Sequence, residues 1–238
     1  MRSPATYLTA ALTQLGFCPC CLLCQQALET YQRICADCFK DLPFIDAACR
    51  YCARPLCVAN ETCGQCQQHP PPWDRLWVAL DYVFPVEKLI LGGKFSEGLH
   101  HLRLLAELFI DYWRKQDAIK PDFLLPVPLH PKRLRERGYN QALELARVIG
   151  RELNIPIVHA SERTRATVAQ TSLNAQQRLR NVKHAFTVHK DFSGARVAIV
   201  DDVYTTGSTV AALSAVLRGA GAAHIDVYTM ARSLGHTH

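Results

Sequence analysis

The stretch Arg196-Val197-Ala198-Ile199-Val200-Asp201-Asp202-Val203-Tyr204-Thr205-Thr206-Gly207-Ser208-Thr209 decides how this 238-residue chain is read. Ala195 to Val200 is a near-continuous apolar run, interrupted only by Arg196, the pattern of a strand buried on both faces. It stops on two carboxylates and a hydroxyl-rich turn. Val210, Leu213 and Leu217 then recur at helical spacing until Gly219 or Gly221 ends the helix. A turn between strand and helix can aim the amides of residues 205 to 209, and the positive end of the helix, at an anion. Gly207 permits the close backbone turn, and Thr205, Thr206, Ser208 and Thr209 supply hydroxyl donors. Asp201 and Asp202 repel each other unless each has a partner; vicinal sugar hydroxyls or a hydrated magnesium ion are suitable ones. A phosphorylated sugar therefore suits both halves of the stretch. An acidic helix N-cap would explain Ser208 or Thr209 singly, but not the whole run.

The same alternation extends outward. Leu76 to Phe84 reads as a strand, and Leu99, Leu102, Ala106, Phe109 and Trp113 follow at helical spacing. Asp122 to Pro128 returns to a strand. Ala142, Leu145, Ile149 and Leu153 mark a second helix, Ile155 to His159 a short strand, and Ile225 to Met230 a last one. Apolar strands separated by helices imply an α/β fold, a mostly parallel sheet with flanking helices that takes its ligand at the carboxyl ends of the strands. Upstream, Pro70-Pro71-Pro72 reads as a stiff spacer. The expected organisation is a Cys-rich module over 1–69, a linker over 70–72 and the α/β domain over 73–238.

With 49% hydrophobic and 20% charged residues the chain is neither disordered nor collagen-like. Polar residues interrupt every apolar stretch before the roughly 18 residues of a spanning helix are reached. Met1-Arg2-Ser3 with the broken segment Tyr7 to Gly16 is a poor match to an export signal. All 11 cysteines lie between Cys18 and Cys66. Eight form C-x2-C pairs, Cys21/Cys24, Cys35/Cys38, Cys49/Cys52 and Cys63/Cys66, whose first members step by 14. Two such knuckles complete the tetrahedral shell of four sulfurs that zinc prefers, so eight sulfurs suit two ions. Disulfides would need an oxidising compartment; redox work is a further alternative. Equal spacers leave the pairing open between adjacent and crossed knuckles. Cys18, Cys20 and Cys57 fall outside the register and receive no role. Up to His69 five basic residues meet five acidic ones, which suits a zinc staple better than a phosphate-gripping finger.

Val-Ala-Ile-Val-Asp-Asp-Val-Tyr-Thr-Thr-Gly-Ser-Thr, residues 197 to 209, resembles the phosphoribosyl pyrophosphate (PRPP) loop of type I phosphoribosyltransferases. Tyr204 stands where that loop usually carries an aliphatic residue, and Ala198 where a larger one is common. The four knuckles, the Pro-Pro-Trp junction, Gly92-Gly93-Lys94-Phe95, Pro126-Val127-Pro128-Leu129, Arg137-Gly138-Tyr139-Asn140-Gln141-Ala142, and Arg163-Thr164-Arg165-Ala166-Thr167 with Gln170, Arg178, Asn181 and Ala185-Phe186 are similar, in order, to the ComF family. The resemblance implies a zinc module on a phosphoribosyltransferase-like domain, and a cytoplasmic protein of natural competence. Such a protein handles incoming single-stranded DNA together with other competence or DNA-processing proteins.

Between His130 and Lys183, eleven Lys or Arg face four acids, so this segment holds all of the formal net charge of +6. Arg147 and Arg151 read as the solvated face of a helix. Lys132, Arg133, Arg135 and Arg137 follow a strand end directly, where guanidinium groups suit a pyrophosphate. Arg163 to Gln177 suits a flap over a charged ligand, and Tyr139, Phe95 and Phe186 are the aromatic candidates for base stacking. If the chain is an active transferase, Asp201 and Asp202 hold ribose hydroxyls and residues 205 to 209 the 5′-phosphate. Magnesium with Arg133 or Arg137 then takes the pyrophosphate, for an unidentified acceptor. The other alternative is a sensor that binds PRPP without turnover.

Overall fold

The structure, a computed structural model, describes residues 20–28, 32–58, 61–94, 98–159, 161–163 and 186–233. The chain divides into two compact units, Met1–Pro43 and Phe44–His238. Pro70 to Pro72, the expected linker, lie within the second. In the first unit a short helix, Ala36–Lys40, starts on Cys35, whose sulfur accepts from the Cys38 amide at 3.4 Å.

Among its described residues the second unit carries six strands: β1 (Arg75–Asp81), β2 (Phe123–Pro126), β3 (Ser161–Arg163), β4 (Phe186–Val188), β5 (Arg196–Tyr204) and β6 (His224–Arg232). Four make a parallel sheet in the order β1-β6-β5-β2, while β3 and β4 pair antiparallel as a separate ribbon. This is the α/β class with a parallel sheet that the sequence implies. Side-chain alternation divides the sheet into two faces. Ile225 and Val227 share a core with Val210, Leu213 and Leu217 of the helix Ser208–Gly219. Tyr228 follows them in sequence and points the other way, its ring 5.1 Å from Phe109 and 6.4 Å from Trp113 of the helix Leu99–Arg114. That helix packs against Gln141–Leu153. Leu99, expected on its apolar face, is exposed at its first turn.

Both sheet edges are covered. Along β1, Phe44 bridges Leu80, the Ile45 amide donates to Ala79 O (3.0 Å), and the Leu76 amide donates to Arg50 O (2.8 Å). The segment leading into the third knuckle thus satisfies an edge that would otherwise be open. Along β2, the Leu124 amide donates to Pro156 O and its carbonyl accepts from the Val158 amide, both at 2.9 Å. The strand expected over Ile155 to His159 shrinks to this one bridge with Ile157. Pro156 and Pro126 lack the N–H groups that would carry the ladder on in either direction. Among the described residues no helix is long and apolar enough to cross a membrane.

Candidate phosphosugar site and thiolate centres

β2 and β5 are parallel neighbours, so they end together: Pro126 is opposite Val200, and the Val127 amide donates to Val200 O at 2.9 Å. From β5 come Asp201 and Asp202. From the end of β2 the chain passes into the helix Pro131–Arg137, entered through His130, whose Nδ1 accepts from the Lys132 amide, and closed by Gly138 at φ 79°. Between them opens a cleft of about 330 Å³ lined by Asp201, Asp202, Thr205 and Thr209 on one side and Arg133 and Arg137 on the other. Arg133 and Arg137 are four residues apart and share a helix face; Lys132 and Arg135 do not line the cleft.

The acidic pair is held by its own backbone. Asp201 Oδ1 accepts from the Asp202 amide (3.0 Å) and Asp202 Oδ1 from the Val203 amide (2.8 Å). Gly207, at φ 73°, is the N-cap of the helix Ser208–Gly219, and the first turn closes from the Ala211 amide to Gly207 O at 2.8 Å. Thr206 donates to Ser208 across the turn (3.1 Å), and neither lines the cleft. Gly207 is buried instead: a Cβ there would stand 2.7 Å from the Tyr204 hydroxyl and 3.0 Å from the Trp73 indole.

The cleft also takes residues to which the sequence assigns no role: Tyr82 after β1, Lys94, Asn140 and Gln141, and Ser233 after β6. For Lys94, Asn140 and Gln141 the one signal is membership of the Gly92–Phe95 and Arg137–Ala142 motifs, and the structure gives those motifs a local account. Asn140 caps the helix Gln141–Leu153 by accepting from the Ala142 amide, and donates to Val127 O (3.0 Å). Tyr139 and Gln141 both donate to Gly93 O (2.6 and 3.3 Å), which fastens the Lys94 turn to the cleft wall. Arg137 donates to Gln141 Oε1. Burial, and then the charges of Glu87 and Asp202, hold the Tyr82 phenol protonated above its usual range.

Two of the three stacking candidates can be placed. Phe186 is 4% exposed in the core, which removes it as a platform for bases, and Tyr139 spends its hydroxyl on Gly93. Phe95 and nearly all of the expected flap from Arg163 to Gln177 lie outside the described residues. Arg147 and Arg151 are on solvent, paired with Glu144 and Glu152.

The knuckles pair with their neighbours. Cys21, Cys24, Cys35 and Cys38 form one group and Cys49, Cys52, Cys63 and Cys66 another, each with its sulfurs within 4.8 Å of one another. None of the described cysteines forms a disulfide, and Cys20 and Cys57 are exposed outside both groups. Sulfurs about 2.3 Å from a tetrahedral zinc stand about 3.8 Å apart. Cys24 and Cys35 are 3.8 Å apart and Cys52 and Cys63 3.7 Å, so both groups fit the ion. The Cys35 and Cys63 amides donate to the Cys21 and Cys49 sulfurs, each at 3.4 Å. Burial opposes ionisation of Cys21, but the amides of Cys24, Cys35 and Leu23 outweigh it and take the thiol down to about 6; those of Cys63, Tyr51 and Cys52 take Cys49 down to about 7. Burial, with the charge of Cys49, pushes Cys52 up to about 11, and burial also raises Cys38 and Cys66. Each group thus resists full ionisation unless a cation compensates it.

No family model matches the chain. Among curated proteins it is 36% identical over 220 residues to the DNA utilization protein YhgH of Escherichia coli K12, covering 90% of this chain and 97% of that protein. It is 34% identical over 222 residues to competence protein F of Haemophilus influenzae (90% and 96%), and 25% identical over 218 to competence protein ComFC of Bacillus subtilis (87% and 87%). The chain belongs to the ComF family of competence and DNA utilization proteins. Solved structures similar to it include a purine phosphoribosyltransferase from Pyrococcus horikoshii (19% identity, 66% of this chain and 87% of that one, TM-score 0.31). Another is a glutamine PRPP amidotransferase from B. subtilis (18%, 61% and 30%, TM-score 0.39).

Proposed function

We propose that this protein serves natural competence and DNA utilization by handling incoming single-stranded DNA in the cytoplasm, with a PRPP-type phosphosugar and magnesium bound in the cleft. The observation that carries the reading is the meeting of Asp201, Asp202, Thr205 and Thr209 with Arg133 and Arg137 in one cleft at the ends of parallel strands. Carboxylates on one wall suit ribose hydroxyls or hydrated magnesium, and guanidinium groups on the other suit a pyrophosphate. Residues 205 to 209, at the start of a twelve-residue helix, suit the 5′-phosphate. Were the protein a transferase, these residues would act by positioning and charge stabilisation.

In the same reading each group of four cysteines holds a zinc ion as a structural staple of the Cys-rich region ahead of the phosphoribosyltransferase-like domain. The exposed cations Lys132 and Arg135, on the helix that forms one cleft wall, belong to the basic segment that would meet DNA phosphates. The test is transformation frequency in a deletion strain complemented with the wild-type gene or with Asp201→Asn, Asp202→Asn. Loss in the deletion strain, restored by the wild type and not by the double variant, is expected. Normal uptake and recombination without the protein would refute the role.

A further inference from the structure

The residue that departs from the usual phosphosugar loop, Tyr204, connects that loop to the second thiolate centre. Its ring is 7% exposed at the end of β5, and its hydroxyl packs directly beneath Gly207. Trp73 meets it edge to face, with centroids 6.1 Å apart at 76°, and also packs under Gly207. The indole N–H of Trp73 donates to Tyr51 O at 2.9 Å, and Tyr51 lies inside the Cys49–Cys52 knuckle. A second connection runs beside the first. Arg232 is opposite Tyr204 on β6 and donates to the carbonyl of Ala53, the residue that leaves the knuckle at φ 52°. The Ser233 amide then donates to Tyr204 O at 2.8 Å.

We infer that Trp73 and Tyr204 are positioning residues through which a metal ion at Cys49, Cys52, Cys63 and Cys66 fixes the shape of the 205–209 loop. The knuckle turn is closed by two backbone bonds, Ala53 N to Cys49 O and Cys49 N to Arg54 O, both at 2.8 Å, and it is tied to the fourth knuckle by the Arg50 amide on Glu61 O at 3.0 Å and the Cys63 amide on the Cys49 sulfur. An ion that gathers the four sulfurs sets the position of the Tyr51 and Ala53 carbonyls, and these two carbonyls anchor Trp73 and Arg232. The floor under Gly207 has no slack, because even a Cβ there would be too close to both rings. A shift of the knuckle therefore reaches the loop as a change of backbone shape. The cysteines of the first centre make none of these bonds.

The inference rests on the phosphosugar reading for its meaning but is tested without that ligand. Zinc-loaded wild type, Cys24→Ser, Cys66→Ser, Trp73→Phe and Tyr204→Leu are compared by zinc content and by amide hydrogen exchange. Exchange is read separately over 203–210 and over 197–200 in the strand below. Cys24→Ser is expected to lose one zinc and leave loop exchange unchanged. Cys66→Ser is expected to lose the other and to speed exchange of 203–210 about tenfold while 197–200 stays protected. Trp73→Phe and Tyr204→Leu are expected to keep both ions and speed the loop alike, which covers the case in which Cys66→Ser fails to fold. Unchanged loop exchange in Trp73→Phe and Tyr204→Leu, or equal effects of Cys24→Ser and Cys66→Ser, would overturn it. If wild type binds no PRPP while the exchange pattern holds, the phosphosugar reading fails and the coupling stands.

Discussion

The indole nitrogen of Trp77 donates to Oδ1 of Asp226 at 3.1 Å, across the pairing of β1 with β6. Asp226 is 1% exposed and also takes Arg196 at 3.3 Å, with His224 Nε2 at 3.2 Å. Asp226→Ala would leave the indole N–H and a partly buried guanidinium without their acceptor. A loss of about 3 kcal/mol is expected, read as a lower urea midpoint with an unchanged slope. Asp226→Asn keeps the indole bond and should lose less.

Gly207→Ala tests the loop floor. The methyl group would meet Tyr204 and Trp73 at a positive φ, so a cost of about 1–3 kcal/mol is expected, seen in thermal unfolding, together with weakened PRPP binding. Gly138→Ala, with φ 79° and nothing within 4 Å, should be milder.

Metal analysis of purified protein is expected to give two zinc ions per chain. Cys35→Ser and Cys63→Ser should each remove one, and the double variant both. A double variant that still keeps one ion would mean crossed ligation of the second knuckle with the fourth and contradict the adjacent pairing.

His101 gives the folded state a pH dependence of definite sign. Burial, and then the charge of His100, hold its imidazole below the usual histidine range, and its Nδ1 is buried without a hydrogen-bond partner among the described residues. The unfolded chain therefore takes up the proton first as the pH falls. Stability present above about pH 6.5 should decline below it, and His101→Leu should flatten the difference in urea midpoint between about pH 7 and about pH 5.

The ends of the parallel strands were legible because the buried run before Asp201 and the turn chemistry after it are local. Tyr82, Lys94 and Ser233 were not, since they reach the cleft only through the strand order β1-β6-β5-β2, which no single segment encodes. The 14-residue repeat marked the eight cysteines but not how they group, because equal spacers make the knuckles interchangeable on paper. Nor did it reveal that the third and fourth knuckles would pack with the α/β unit. Residues 44 to 50 hydrogen-bond along β1, and Trp73, just after the three prolines, is buried between Tyr51 and Tyr204. Phe186 looked like a stacking platform because an aromatic residue in a polar stretch reads the same whether it faces water or the core.

Calorimetric titration of the zinc-loaded protein with magnesium and PRPP tests the central claim most directly. Saturable binding by the wild type, weakened at least tenfold in Asp201→Asn, Asp202→Asn and reduced in Arg133→Ala, is the predicted result. No binding by the wild type, or undiminished binding by the double variant, would contradict a phosphosugar site in this cleft.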